Sequence, residues 1–371
     1  MDKKELQAAK DTSAVSRNGF LLVSKYRNAI MGIAALWVLY FHAWILVMPA
    51  STPQHFNLFG FIESYTKAIG YCGVDIFLLV SGIGLTFAIN KGSLLRFYYR
   101  RLRRLILPPL VVTLLLWNIF GWSTKEFLQS ISGYNFFFKS TTCFLWFIPA
   151  IFTLYLLFPL YYKLFEKARN KVLFTGIVIA VWFLISFLLR GIMREDLFGY
   201  TNRIPVFITG VLFGFLTQNR KEIVFSIKTY ICIIFTLAAG FCLAYLTSIQ
   251  GYQFIIPYGN ILANYFIAIS LPFVIAKLLD LAERHLSLFG KYLAVVIGFF
   301  GTFTLESYCV QEWFVRIIND MMDDGLSIHL INIGMFFVIN ATAWVASVLF
   351  KYFWELVELP FKKKKAKAKA N

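Results

Sequence analysis

Charged residues are scarce in this sequence, which excludes an ordinary soluble domain. Only 15% of its 371 residues are charged, whereas 59% are hydrophobic. Soluble domains carry about 25% charged residues on average. A chain of this length and low polarity can cross a bilayer many times, so the composition predicts a polytopic membrane protein.

Histidine and cysteine are also few, with four and five residues respectively. The cysteines lack the paired spacing of a metal site or a disulfide framework. Three of the histidines, His55, His285 and His329, fall in loops or at the ends of apolar segments. The sequence therefore predicts no metal site.

Ten apolar windows approach the length of about 20 residues that a helix needs to cross a bilayer. They lie near 28–48, 69–90, 105–121, 143–162, 172–189, 204–218, 229–249, 261–281, 293–316 and 328–350. With a cytoplasmic N-terminus, 29 of the 36 Lys and Arg residues fall on the cytoplasmic side, as the positive-inside rule requires. We expect an all-α fold of about ten transmembrane helices with both termini in the cytoplasm.

The windows divide the chain into three parts. Residues 1–27 are polar and lack the apolar core of a secretory signal, so they are predicted to remain as a cytoplasmic extension. Residues 28–350 form the ten-helix domain, and residues 351–371 form a basic cytoplasmic tail that anchors the topology and attracts anionic lipid. The net charge of +17 thus belongs to the segments that flank spans, and no nucleic-acid partner is expected.

Two ionisable residues interrupt the first two windows. His42 and Asp75 stand among side chains that are otherwise uncharged. At a rise of 1.5 Å per residue, both lie about 10 Å below the outer ends of their helices, where a hydrogen bond would join them if their faces meet. Glu306 and Gln311 of the ninth window are expected in the same layer. Ionisable groups at this depth are costly, so each needs a partner, a wet cavity or a function.

Several functions fit this pair. An imidazole gains and loses a proton near neutral pH, and a neighbouring carboxylate orients it, which suits the deprotonation of a hydroxyl. The pair also fits a satisfied polar contact that fixes helix packing, or a proton relay in a transporter or flippase for a glycan or lipid. A non-catalytic partner of a biosynthetic complex is a further alternative.

A basic cluster opens the third window. Arg100, Arg101, Arg103 and Arg104 occur within five positions, and Arg96 precedes them. The positive-inside rule explains any one of these residues. Together, however, guanidinium groups bind phosphate in bidentate fashion, so the cluster predicts a docking site for a phosphorylated cytoplasmic donor.

Motifs across nearly the whole chain resemble the acyltransferase-3 family of bacterial membrane O-acyltransferases. GIAALWVLYFH, GVDIFLLVSGIGL and FYYRRLRRLILPPL resemble the motifs of that family's first three helices. LWFIPAIFTLYLLFPLYY, RIPVFITG and GTFTLESYCV resemble its later blocks, in the same order.

The resemblance implies an activity in the bacterial plasma membrane. It implies transfer of an acyl group, usually acetyl from cytoplasmic acetyl-CoA, to a hydroxyl of a carbohydrate or lipid-linked glycan. His42 matches the catalytic histidine, oriented by Asp75 or Glu306, and Arg101 and Arg104 match the arginines that hold coenzyme A. No motif encodes the acceptor's identity or the oligomeric state.

Further site residues follow from the same blocks. Trp146 and Arg203 match positions that line the family's cavity, and Tyr308 is a candidate donor to the oxyanion. Arg100 joins the donor-binding set through its place in the cluster.

Two positions depart from the family pattern. Met31 stands where the family has an arginine, eleven positions before the histidine. Arg27, one turn earlier, is either its substitute or a boundary charge. Gln311 stands where a late motif often ends in histidine, and its amide cannot take a proton at neutral pH. These departures keep a catalytically inactive family member as an alternative.

Overall fold

The computed structural model describes residues 17–49, 56–139, 144–189, 192, 195–219, 223–249, 260–323 and 325–370. His55 and the first sixteen residues of the predicted N-terminal extension lie outside these ranges. The α-helices of the described ranges are, in chain order, α1 Gly19–Lys25, α2 Arg27–Ala43, α3 Leu58–Ala68, α4 Cys72–Ile89, α5 Leu94–Phe120, α6 Thr124–Ile131, α7 Tyr134–Phe138, α8 Phe147–Lys167, α9 Lys171–Leu188, α10 Glu195–Thr201, α11 Ile204–Asn219, α12 Ile227–Ala244, α13 Asn260–His285, α14 Leu288–Phe300, α15 Thr304–Asp323 and α16 Ile328–Ala370. A 3-10 turn, Phe144–Trp146, precedes α8, and a π-helical segment, Tyr245–Ile249, follows α12.

The predicted all-helical membrane architecture is confirmed. Within the described residues, seven helices are long and apolar enough to cross a membrane, or eight if α14 and α15, bent by 52°, form one span. The helices that meet this criterion by themselves are α4, α5, α8, α9, α12 with its π-helical extension, α13 and α16. Two more predicted windows coincide with α2 and α11, which have only 17 and 16 residues. The count of ten and the cytoplasmic termini therefore stay predictions.

The first predicted span, α2, lies in the middle of the bundle. It packs against α4, α14 and α15, and the side chains of Ile30, Ala34 and Val38 are almost completely buried. Glycine permits the close approach to α14, because a Cβ at Gly32 would collide with the carbonyl oxygen of Ile297. Small residues at such contacts are typical of helix packing in membranes, where backbones approach closely.

The α4–α11 pair is packed by the same principle. A Cβ at Gly210 would collide with the carbonyl oxygen of Leu79, and a Cβ at Gly82 would collide with that of Phe207. Both helices are therefore in backbone contact, and α4 is held rigidly beside α2. This packing fixes the position of Asp75, which lies in the first turn of α4.

Helix α5 carries the arginine cluster. Ser93 caps its start by accepting a hydrogen bond from the backbone N–H of Arg96 at 3.3 Å, and Gly121 ends it in the left-handed conformation with φ of 61°. Pro108 and Pro109 lie inside the helix. Proline has no N–H, so the carbonyls of Arg104 and Leu105 lose their usual helical donors.

We expect Gly210→Leu to destabilise the fold by about 1–3 kcal/mol or more, since the added side chain must push α4 and α11 apart. The measurement is the thermal unfolding of purified protein in detergent. The matched control is Gly176→Leu, because a Cβ at Gly176 on α9 meets open space. Equal losses in both variants would contradict the close packing of α4 on α11.

Candidate active site

The chain leaves the helical conformation just after His42. Helix α2 ends at Ala43, and residues 44–48 continue without regular structure. Asn332 of α16 holds this segment by accepting a hydrogen bond from the backbone N–H of Ile45 and donating one to its carbonyl, both at 2.8 Å. The imidazole therefore lies in the last turn of α2, and the segment that follows this turn is held by α16.

Glu63 of α3 fixes the same segment from the outer side. Its carboxylate accepts hydrogen bonds from Trp44 Nε1 at 2.8 Å, from the backbone N–H of Val47 at 3.0 Å and from that of Met48 at 2.7 Å. Lys67, one turn later, donates to the carbonyl of Trp44. Sequence reasoning missed Glu63, although a carboxylate close to the first span in a chain with only 19 acidic residues was an available signal.

The side chain that contacts His42 is Gln311. Gln311 Oε1 lies 2.9 Å from His42 Nδ1, and Gln311 Nε2 donates to Ser307 Oγ at 3.4 Å. With the amide in this orientation, its oxygen accepts a hydrogen bond from Nδ1–H, and Nε2 is the basic nitrogen of the neutral imidazole. This tautomer is the one that a general base needs when it acts through Nε2. Gln311 is only 1% exposed and His42 is half-buried, so the pair lies inside the bundle.

Asp75 does not orient His42, contrary to the expectation from the sequence. It pairs instead with Arg203, whose Nε lies 3.3 Å from Asp75 Oδ2. The reason is geometric, since Asp75 points from α4 towards the start of α11. Arg203 also lies over the ring of Trp146, with 5.1 Å between Cζ and the ring centroid. The structure thus brings Asp75, Trp146 and Arg203 together in one buried cluster.

Three arginines line one cavity, here called the arginine cavity. Arg27 comes from α2, and Arg101 and Arg104 come from the same face of α5, three positions apart. Their charges repel one another, and Arg101 Nε has no hydrogen-bond partner in the described structure. A polyanion bound here would relieve the repulsion and supply the missing acceptor.

The arginine cavity is also lined by residues of α4, α8 and α15. Met31 and Tyr308 also line it, so the position that departs from the family pattern faces this space together with Arg27. The hydroxyl of Tyr308 accepts a hydrogen bond from the backbone N–H of Phe147 at 3.4 Å. His42 is not among the described residues that line the cavity. The cavity reaches Tyr308, one helical turn before Gln311 on α15.

The other two predicted site residues line a second cavity, between α5, α15 and α16. Glu306 faces it with Arg100, Arg103 and Arg104, so Glu306 does not hold the imidazole as expected. Glu306 and Gln311 are five positions apart on α15, so their side chains leave different faces of this helix. Arg100 also lies outside the arginine cavity and donates to the carbonyl of Lys91 at 2.7 Å.

A comparison with sequence families identifies the family. The model of an acyltransferase domain, that of the acyltransferase-3 family, matches residues 26–352. The chain belongs to the acyltransferase-3 family. No curated protein and no solved structure matches the chain.

Membership in the acyltransferase-3 family makes this chain a membrane acyltransferase in general terms. The matched range contains His42, the arginine cavity and the Asp75–Arg203–Trp146 cluster, so all three belong to the family domain. Gln311 departs from the family pattern but still contacts the imidazole, because its oxygen accepts a hydrogen bond from His42.

The stability that Glu63 provides should depend on pH. Burial raises the pKa of Glu63, whereas the hydrogen bonds from Trp44, Val47 and Met48 lower it. The hydrogen bonds together outweigh burial, so the pKa lies below its ordinary value of 4.5. A lowered carboxyl pKa stabilises the fold above the ordinary pKa, and that stability is lost as the pH falls through the folded value.

We therefore expect wild type to unfold at a higher temperature than Glu63→Gln at pH 7, with the difference shrinking below about pH 4.5. Thermal unfolding of both proteins across this range measures it. The comparison variant is Glu126→Gln, because the hydrogen bonds of Glu126 go to Ser123 in the capping box of α6. A difference that is constant with pH would exclude ionised Glu63 as the anchor.

Proposed function

We propose that this protein transfers an acetyl group from acetyl-CoA to a hydroxyl of a cell-surface carbohydrate or lipid-linked glycan, in the plasma membrane of a bacterium. The observation that carries the proposal is the arginine cavity. It brings three positive charges together with Tyr308, which lies one turn before the residue that contacts His42. A donor that carries phosphate groups supplies the negative charge that these arginines would bind.

The phosphates and the pantetheine arm of the donor bind different parts of the cavity. Arg27, Arg101 and Arg104 bind the phosphates of coenzyme A by charge-assisted hydrogen bonds. The pantetheine arm then runs between α2, α4 and α5, whose side chains line the cavity. Its amide N–H groups are suitable donors for the carbonyls that Pro108 and Pro109 leave without helical partners.

His42 acts as the general base. Nε2 takes the proton from the acceptor hydroxyl as its oxygen attacks the thioester carbonyl carbon. The tetrahedral intermediate collapses, the bond between that carbon and the sulfur breaks, and the imidazolium returns the proton to the departing thiolate. Gln311 holds Nδ1–H throughout, and Tyr308 is placed to stabilise the developing oxyanion.

The Asp75–Arg203–Trp146 cluster belongs to the acceptor side of the proposed reaction. Asp75 is only 1% exposed, and its Oδ1 has no hydrogen-bond partner in the described structure. A buried carboxylate oxygen without a donor costs free energy, so a hydroxyl group delivered by the acceptor would be stabilised there. Trp146 and Arg203 hold this carboxylate in place.

The proposal is tested by mass spectrometry of envelope glycans and lipids from cells with and without the gene, and with His42→Ala. We expect His42→Ala to lower acetylation about 10²–10⁴-fold, because this is the usual contribution of a general base. His329→Ala is the matched control, since His329 is exposed on α16. If the acetyl content is identical in wild type, the strain without the gene and both variants, the proposal is refuted and an inactive family member is favoured. Accumulation of the acceptor on one side of the membrane would favour a flippase.

The arginine cavity makes a separate kinetic prediction. Arg101→Ala removes a charge-assisted phosphate contact worth about 1.5–3 kcal/mol, so KM for acetyl-CoA should rise about tenfold or more. Initial rates with purified protein in detergent measure the change. Arg96→Ala, an exposed arginine on the same helix, should leave KM unchanged. If both variants raise KM equally, the effect is one of general charge and the cavity is not the donor site.

A further inference from the structure

The second cavity has the polarity of a phospholipid headgroup region. Its basic end is lined by Arg103 and Lys351, and its deeper end is lined by Leu107, Pro108 and Phe350. Arg103 precedes Leu107 on α5, whereas Lys351 follows Phe350 on α16. Because the two helices run antiparallel, the basic residues of both lie at the same end of the cavity. Both helices are membrane-span candidates.

Two unpartnered polar atoms of the cavity point to a bound ligand. The indole N–H of Trp354 and Glu306 Oε2 are buried and have no hydrogen-bond partner in the described structure. An indole N–H only donates, so a ligand with acceptor oxygens would satisfy it. A lipid hydroxyl, such as one of a glycerol headgroup, would donate a hydrogen bond to Glu306 Oε2.

The net charge of the cavity selects an anion. Four basic side chains line it, namely Arg100, Arg103, Arg104 and Lys351, against the single carboxylate of Glu306. One of the four, Arg103, is also paired with Glu358 of α16. Basic pockets between membrane helices at the level of the headgroups are typical binding sites for anionic lipids.

The surroundings of the cavity favour a lipid over a soluble phosphate. Both helices carry large apolar side chains that are exposed to the exterior, including Ile106 on α5 and Leu349 and Phe353 on α16, which are 44%, 59% and 47% exposed. In a membrane these side chains contact acyl chains. A ligand that enters from this side must itself be largely apolar.

We propose that the cavity between α5, α15 and α16 binds the phosphate headgroup of an anionic phospholipid. The phosphate lies between Arg103 and Lys351 and accepts a hydrogen bond from Trp354 Nε1, and the acyl chains follow Leu107 and Phe350. This site is independent of the proposed acetyl transfer, although Arg104 lines both cavities.

Native mass spectrometry tests the site. Purified protein is exchanged into nanodiscs of phosphatidylcholine that contain a minor fraction of phosphatidylglycerol, and the lipid retained after release is identified. Wild type should retain phosphatidylglycerol preferentially. Lys351→Ala should reduce this retention about fivefold, the effect of one basic residue at an anionic lipid surface.

Two variants separate the site from general charge and from misfolding. Trp354→Phe keeps the ring but removes the N–H, and it should also reduce retention of phosphatidylglycerol. Arg96→Ala removes an exposed charge from the same helix and should match wild type. Equal retention by wild type, Lys351→Ala and Arg96→Ala would overturn the proposal.

A competition experiment separates the two sources of phosphate. Coenzyme A added to the loaded nanodiscs should leave phosphatidylglycerol bound. If coenzyme A displaces the lipid, and Lys351→Ala weakens the binding of coenzyme A as strongly as it weakens that of the lipid, the cavity is part of the donor site and the proposal is wrong.

Discussion

The structure depends on the requirement that a polar side chain placed among apolar helices must find a polar partner. His42 finds Gln311, and Asp75 finds Arg203. A buried polar atom without a partner costs about 1–3 kcal/mol. In the described structure, Arg101 Nε, Glu306 Oε2 and Trp354 Nε1 lack partners, and all three residues line cavities. These three are among ten buried side-chain atoms without a partner in the described structure, and they lie where ligands are proposed.

Other parts of the bundle are packed closely, at helix pairs that carry glycine. Backbone contact between α4 and α11, and between α2 and α14, gives a rigid support on which polar side chains keep their positions. Helix α5 packs less closely, and its two prolines interrupt the regular hydrogen bonding beside the arginines. The bundle therefore combines a rigid part that positions His42 with looser walls that leave room for long molecules.

Sequence reasoning identified the fold class, the family and the unusual position of His42, because each depends on local composition or on a motif. It also placed Arg101 and Arg104 on one face, since residues three apart on a helix are neighbours. It failed on partners. Gln311 and Arg203 lie 269 and 128 residues away from His42 and Asp75, and no periodicity within one helix shows which faces of different helices meet. Arg103 is a similar case, because its carboxylate partner, Glu358, lies on the last helix.

Helix α2 ends immediately after His42, so the position of this residue depends on the helix and on the segment that follows it. The helix sets how far the imidazole lies from the arginines, whereas Glu63 and Asn332 set the direction in which the chain departs. Substitutions in residues 44–48 would therefore change the surroundings of the ring without altering the arginine cavity. In the proposed acetyl transfer, such changes would alter which alcohol reaches the ring and leave the thioester supply intact.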